Sequence, residues 1–238
     1  MKNSANTKNI RKDWAELCSS SDKLYDHIKK VLSNRKQKSF IYKEGPSNPA
    51  AVLIPLFFKD NQAHILFTKR TTKVATHKGQ ISFPGGRKDD TDKDLLFTAL
   101  RETDEEVGIK NNDIDVLGQT DVFLTNTDFL VSPFVGYYPY PYNYSISIDE
   151  IDRLIEVPLL HLLNDDIFRV QKISRHGYDW NIHYYNYNGD VIWGVTGFLL
   201  SNFLSIVFGV ERDNLKEIVS RKEPNNLLKN ASDENGQV

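Results

Sequence analysis

The alternation of apolar and polar residues predicts a domain of mixed helices and strands over residues 50–210. Two short apolar and β-branched runs, 51–58 and 63–69, are separated by four polar residues, which is typical of a β-hairpin. The same criterion predicts five further strands, at residues 114–124, 130–138, 153–158, 168–173 and 180–187. Mixed strands accompanied by two unlike helices favour an α/β or α+β sandwich over a doubly wound parallel sheet.

One predicted helix is amphipathic and spans residues 92–107. Its apolar residues recur at helical spacing, so one face is expected to pack on the sheet. Thr91, followed three residues later by Asp94, resembles a capping box at the start of this helix. Gly108 predicts its end.

A second helix is predicted at residues 196–208, inside a segment of twenty uncharged residues, 191–210. A helix of that full length is long enough to span a bilayer. A strand is expected to end near Trp193, however, and the shortened helix is then too short to span. A buried core helix is therefore favoured, with a membrane helix as the alternative.

Small residues recur at every fourth position of this second helix: Gly197, Ser201, Ser205 and Gly209. Such a stripe lets a buried helix lie close against a sheet, although it also packs membrane helices together. As a core helix it would bury its bulky residues, namely Phe198, Leu199, Phe203, Ile206 and Val207.

Two polar regions flank the predicted domain. Residues 1–49 are interpreted as an N-terminal extension with one helix, around 12–32, and a linker. Residues 211–238 form a polar C-terminal tail. The expected organisation is therefore an extension, a domain over 50–210 and a tail.

Composition narrows the functional classes. With 30 basic and 32 acidic residues among 238, the net charge of −2 gives no bulk electrostatic reason to bind nucleic acid or an acidic membrane. The single cysteine, Cys18, excludes an intramolecular disulfide and a cysteine zinc cluster. Residues 1–13 lack the apolar core of a secretory signal. A cytoplasmic protein is expected, and both a monomer and a homodimer remain open.

The amphipathic helix carries three clustered carboxylates. Glu102 and Glu106 lie four residues apart at one edge of the packed face, and Glu105 lies further towards solvent. Like charges at this spacing repel, and a divalent cation would reverse the sign of the interaction. Hard oxygen ligands favour Mg²⁺ or Mn²⁺ over zinc. The alternative is an ordinary solvated acidic face, on which Arg101 pairs with Glu105.

The residues around this helix resemble the Nudix box, a glycine followed by Glu and by Arg-Glu-U-x-Glu-Glu-x-Gly-U, where U is aliphatic. Residues 101–109 match the second half, with Thr103 in place of an aliphatic residue. Gly86 matches the glycine, and Asp92 stands where the family has Glu. Eight residues, instead of the seven of the family pattern, separate Asp92 from Arg101.

The resemblance extends upstream to the coenzyme A pyrophosphatase branch of the Nudix hydrolases. Residues 66–86 are similar to that branch's motif LLTxR(S/A)x3Rx3Gx3FPGG, and its GGxxDxxD stretch begins at Gly85. The serious departure is Ala75, where the branch has Arg. Lys73, Lys78 or Arg70 are candidates to supply the missing charge. The resemblance covers about residues 50–208.

The resemblance implies a Nudix-fold α/β/α sandwich that hydrolyses coenzyme A or acyl-coenzyme A to 3′,5′-ADP and a 4′-phosphopantetheine species. It implies that Glu102 and Glu106 bind Mg²⁺ or Mn²⁺, and that Glu105 binds a metal or its water. Arg101 would orient a carboxylate, and Glu150 would be a further ligand or base. The implied substrate-binding residues are Arg70, Lys78, Gly79, Phe83, Gly85 and Gly86.

Several alternatives remain open. The substrate is alternatively another nucleoside diphosphate derivative, such as ADP-ribose or a dinucleotide, or the chain is a non-catalytic nucleotide sensor. Glu150 is alternatively a surface residue, and Glu156 is a weaker candidate for its role. Five tyrosines within residues 137–144 would stack on an adenine or cover the core.

Overall fold

The computed structural model describes residues 11–72, 78–175, 177–212 and 219–221. Its helices are α1 Lys12–Cys18, α2 Ser21–Ser33, α3 Leu95–Val107, α4 Leu159–Leu162 and α5 Gly194–Phe208. Its strands are β1 Ser39–Phe40, β2 Asn48–Lys59, β3 Gln62–Arg70, β4 Ile81–Ser82, β5 Gly85–Arg87, β6 Asp115–Gln119, β7 Val122–Leu124, β8 Phe129–Tyr137, β9 Ile151–Pro158, β10 Phe168–Arg175, β11 Tyr178–Tyr187, β12 Asp190–Trp193 and β13 Val219–Arg221.

The larger sheet is mixed. Its main strand order is β1-β7-β8-β2-β3-β4, and β5, β6 and β9 pair with β2, β8 and β3 respectively. The pairs β2–β8 and β1–β7 are parallel, whereas the β2–β3 hairpin is antiparallel. The smaller sheet is antiparallel and consists of β10, β11 and β12 with β13 beside β11.

Helices cover both faces of the larger sheet. Leu53 and Phe57 of β2 pack with Ala99 of α3, whereas Ile54 and Leu56 face the core shared by α2 and α5. This period of two along β2 explains its almost continuous burial, because both faces of the strand lie under helices. The predicted α/β sandwich with a mixed sheet is confirmed.

The uncharged segment forms a strand followed by a helix. β12 ends at Trp193, where the sequence predicted a strand to end, and α5 begins at Gly194, two residues before the predicted start of the helix. Within the ranges that the structure describes, no helix is both long and apolar enough to cross a membrane. A Cβ atom on Gly197 would collide with the carbonyl oxygen of His183 in β11. Gly197 and Ser201, two of the four residues of the small-residue stripe, therefore serve the close approach of α5 to the smaller sheet. Of the five bulky residues of α5 that were predicted to be buried, four are buried and Ile206 is only partly buried.

The prediction of one N-terminal helix over residues 12–32 is wrong. The chain forms α1 and α2, which are separated by a break at Ser19 and Ser20. α2 buries Leu24, Ile28 and Leu32 at helical spacing in the core that also contains α5. Residues of the N-terminal extension thus pack directly on the predicted domain, and the division at residues 49 and 210 remains a prediction.

The start of α3 and the continuity of one predicted strand also differ from the prediction. α3 begins at Leu95, because the carboxylate of Asp94 caps the helix by accepting a hydrogen bond from the Phe97 N–H at 2.7 Å. The cap is therefore not Thr91. The predicted strand over 114–124 is divided into β6 and β7, which flank Thr120 and Asp121.

Candidate active site

Two adjacent glycines bring β5 close to β2 on one side and to α3 on the other. In β5, Gly85 pairs with Val52 and Gly86 with Ala51 of β2. A Cβ atom on Gly86 would overlap the Glu102 carboxylate, and one on Gly85 would overlap the backbone of Ala51. Glycine is required at position 85 by the close approach of β5 to β2, and at position 86 to leave room for the Glu102 carboxylate of α3.

Glu106 is the most deeply placed of the three clustered carboxylates. It is 5% exposed, and its Oε2 accepts a hydrogen bond from the Gly85 N–H at 3.3 Å. Burial raises the pKa of Glu106 to about 8, and the charge of Glu102 acts in the same direction. Arg70 opposes this shift, because its positive charge favours the ionised carboxylate.

Glu102 lies one turn before Glu106 in α3 and is partly buried. Burial raises its pKa above the ordinary value, although the adjacent Arg101 lowers it. The Arg101 Nη2 atom lies 3.0 Å from Oε1 of Glu102. Two carboxylates are thus held against Gly85 and Gly86 of β5 in a setting that disfavours their negative charge.

Arg101 is fixed by a buried carboxylate. Its Nε and Nη2 donate to the two carboxylate oxygens of Asp92 at 2.9 and 3.0 Å. The Asp92 side chain has no exposed surface, and it also accepts a hydrogen bond from the Thr98 hydroxyl at 2.9 Å. The Arg101 hydrogen bonds hold the pKa of Asp92 below its usual range. Arg101 then donates from Nη1 to the exposed Glu105 at 2.9 Å.

Arg70, at the end of β3, lies between two carboxylates. Its Nη1 is 3.6 Å from Glu106, and its Nη2 is 3.6 Å from Glu150. The Nε atom is buried and has no hydrogen-bond partner among the described residues. The two ion pairs are too long to be hydrogen bonds, so the guanidinium retains donors for an anionic ligand.

Glu150 is brought to the site by its backbone. Its carbonyl oxygen accepts a hydrogen bond from the Thr71 N–H at 2.8 Å, next to Arg70. The Glu150 side chain is 53% exposed, so it is accessible to water. Glu156 is not in this group, because it pairs with Lys59 at 2.7 Å.

The remaining predicted substrate-binding residues, Phe83, Lys78 and Gly79, differ in burial. Phe83 is buried and stacks on Phe67, with ring centroids 4.8 Å apart. Lys78 is exposed, and Gly79 has a φ of 66°, a left-handed conformation that glycine adopts without strain. Lys73 and Ala75 lie outside the described residues.

The donor set fits a hard divalent cation. Glu102 and Glu106, on successive turns of α3, supply carboxylate oxygens next to Gly85 and Gly86. A nearby cation would stabilise the ionised forms of both. Glu105 faces Arg101 instead. In the described ranges, no three His, Cys, Asp or Glu side chains are arranged closely enough to hold a metal ion in this conformation.

Sequence reasoning did not assign the anchoring role of Asp92. The only sequence signal for this role is that eight residues separate Asp92 from Arg101, which places Asp92 before the helix and Arg101 on its second turn. The tyrosine segment is used for packing. Tyr140 stacks on Phe57, and the Tyr138 and Tyr144 hydroxyls are 2.8 Å apart.

The chain is similar in sequence to a known protein family and to several known proteins. Residues 47–141 match the NUDIX domain. The chain is 35% identical over 151 residues to an uncharacterized Nudix hydrolase, NudL, of Photorhabdus laumondii, which covers 63% of this chain and 80% of that protein. It is 32% identical over 146 residues to the peroxisomal coenzyme A diphosphatase NUDT7 of Mus musculus, covering 61% of this chain and 62% of that protein, which is less than two thirds of its length. The crystal structure of a MutT protein from Methanosarcina mazei is 24% identical, with a TM-score of 0.40, and covers 51% of this chain and 83% of that chain.

Proposed function

This chain belongs to the Nudix hydrolases, which cleave diphosphate linkages, and we propose that its substrate is coenzyme A or an acyl-coenzyme A. The products would be 3′,5′-ADP and a 4′-phosphopantetheine species. The observation that carries the proposal is Arg70, which matches the coenzyme A branch motif and lies between Glu106 and Glu150 with a buried, unpartnered Nε among the described residues. The similarity to the mouse coenzyme A diphosphatase supports the same substrate class.

Nudix hydrolases generally use divalent metal ions. We propose Mg²⁺ or Mn²⁺ here, held by Glu102 and Glu106, with Glu105 binding a metal or its water. When bound, the cation would stabilise charge on the diphosphate oxygens and lower the pKa of a bound water.

The protein's own residues would bind and orient the diphosphate. Arg70 would donate to a diphosphate oxygen, and Gly85 and Gly86, which have no side chains, would let phosphate approach the backbone. Arg101, held by Asp92, would keep Glu102 in position. Glu150 is proposed to accept a proton from the attacking water, since it is accessible and lies beside Arg70.

A substrate panel tests this proposal. The purified protein would be assayed with coenzyme A, octanoyl-coenzyme A, ADP-ribose and NADH, in Mg²⁺ and in Mn²⁺, and products identified by mass spectrometry. The coenzyme A compounds should have the highest kcat/KM and release 3′,5′-ADP. A tenfold preference for ADP-ribose, about 1.4 kcal/mol in transition-state stabilisation, would overturn the substrate assignment but not the family. Glu106→Gln is the control for a contaminating hydrolase.

We also propose the cytoplasm as the compartment in which the protein acts. Cys18 is the single cysteine, it is buried, and burial raises its thiol pKa to about 12. A thiol in this state is a poor nucleophile and needs no oxidising environment. Fractionation of cells that express the full chain would test the assignment.

A further inference from the structure

A pocket of about 590 Å³ lies between the two sheets and reaches the candidate active site. Arg70 and Gly85 line it from the larger sheet, and both contact Glu106. From the smaller sheet it is lined by Ile173, Trp180 and Trp193. The volume falls within the range of about 300–1,000 Å³ that is usual for small-molecule sites.

The smaller sheet presents large apolar side chains to this pocket without burying them. Trp193 is 41% exposed and Ile173 is 36% exposed. Ile173 is the cross-strand partner of Trp180, and Trp193 is the partner of Tyr184. Exposed apolar groups clustered in a concave site are typical of ligand contact.

The orientation of Trp193 is fixed from its far side. Its ring stacks on Tyr184, with centroids 6.0 Å apart and an interplanar angle of 5°. The Arg169 guanidinium lies 4.2 Å from the centroid of the Tyr184 ring. Since Tyr184 and Arg169 do not line the pocket, they hold the indole in place and leave it available to a ligand.

The pocket carries little charge. Among its described lining residues, Arg70 alone is ionisable at neutral pH, and the other polar side chains are amides and hydroxyls. Two of these polar residues, Asn181 and Thr196, are close in sequence to the apolar lining residues Trp180 and Trp193. A ligand group placed here must therefore be neutral and largely apolar, with a few hydrogen-bonding groups.

We infer that this pocket holds the neutral pantetheine arm of the substrate together with its acyl chain. The inference rests on the proposed function, and it selects between the two halves of coenzyme A. The adenosine half carries a 3′-phosphate, which requires a cation in addition to the Arg70 assigned to the diphosphate, and the described lining contains no second one. The pantetheine half has neutral amides and ends in a thioester-linked chain, which matches amides, hydroxyls and indole rings. An apolar acyl chain gains free energy when it leaves water for such a wall.

The test uses two alanine variants of β12. Trp193→Ala removes a lining residue, and Val191→Ala is the matched control, because Val191 is 37% exposed on the same strand but does not line the pocket. For Trp193→Ala, kcat/KM for octanoyl-coenzyme A should fall about tenfold. The inhibition constant of 3′,5′-ADP should stay within about twofold of that of the unmodified protein, and Val191→Ala should change neither quantity beyond about twofold.

Two outcomes would overturn the inference. An equal loss of 3′,5′-ADP binding in Trp193→Ala would place the adenosine half in the pocket, and equal effects of both variants would indicate a general disturbance of the smaller sheet. If no coenzyme A compound is cleaved, the proposed function fails separately. Calorimetric binding of S-octanoyl-pantetheine, which has no diphosphate, then decides the inference: it should bind the unmodified protein and bind Trp193→Ala about tenfold more weakly. Absence of binding to the unmodified protein would also overturn it.

Discussion

Arg101 and Asp92 form a two-pronged ion pair, with N–O distances of 2.9 and 3.0 Å, in which the Asp92 carboxylate has no contact with solvent. The pair joins the segment before α3 to its second turn. From the same guanidinium, Nη1 and Nη2 reach Glu105 and Glu102. The buried Asp92 carboxylate thus fixes the Arg101 guanidinium, which in turn orients Glu102 and Glu105, two of the candidate metal ligands.

Asp92→Ala should lower both stability and activity. It removes one partner of a buried ion pair, so the free energy of unfolding should fall by about 3 kcal/mol, the lower end for buried pairs, since Arg101 keeps other carboxylate partners. Loss of a group that orients a ligand typically costs about 10–100-fold in activity. Denaturant unfolding and kcat measured with saturating Mg²⁺ would check both effects.

Asp94→Ala is the matched control for Asp92→Ala. Asp94 is also an acid at the start of α3, but its carboxylate caps the helix and contacts Phe97. Its removal should cost about 1 kcal/mol of stability with kcat little changed. If the two variants lose activity equally, the orienting role of Asp92 is wrong.

Gly86→Ala should displace the Glu102 carboxylate. The added methyl group would overlap that carboxylate, while the Gly86 backbone has no left-handed φ that alanine would resist. Activity should therefore fall much more than stability. Gly189→Ala is the contrasting variant, because Gly189 has a φ of 85° and no atom within 4 Å of a new Cβ. It should cost about 1–2 kcal/mol of stability and retain kcat.

Glu106→Gln should abolish turnover while the fold is retained. Burying a carboxylate costs free energy, so a neutral amide of similar shape should not destabilise the protein. Chelation should abolish the activity of the unmodified protein, and Mg²⁺ or Mn²⁺ should restore it. A Mn²⁺ titration followed by thermal unfolding should raise the Tm of the unmodified protein and leave that of Glu106→Gln nearly unchanged. A variant with full turnover would remove Glu106 from the site.

The sequence predicted those features that depend on neighbouring residues. The spacing of apolar residues identified α3, and an uncharged segment with small residues at every fourth position identified α5. The hairpin of β2 and β3 followed from two apolar runs around a polar turn. The break at Ser19 and Ser20 was missed, because the apolar pattern continues on both sides of it.

The relationships that complete the site connect residues distant in the chain. Arg70 meets Glu106 and Glu150 only after β3, α3 and the segment before β9 have packed. The pocket likewise joins Gly85 to Trp193 through the packing of two sheets. Local propensity contains no information about such contacts, which is why the motif indicated the carboxylates but not the surface beside them.

Ser201 of α5 contacts two residues of β11 in the smaller sheet. Its buried hydroxyl lies 2.7 Å from Nδ1 of His183 and 2.6 Å from the hydroxyl of Tyr185. Ser201→Ala removes a hydrogen-bond partner of both groups and should cost about 1–3 kcal/mol. Ser201→Leu should cost more, because overpacking adds about 1–3 kcal/mol to the lost hydrogen bonds. Ser205→Ala, one turn later and only partly buried, should be nearly neutral. Urea unfolding of the three variants gives the order directly, and a stable Ser201→Leu protein would mean that α5 does not press against β11 at this position.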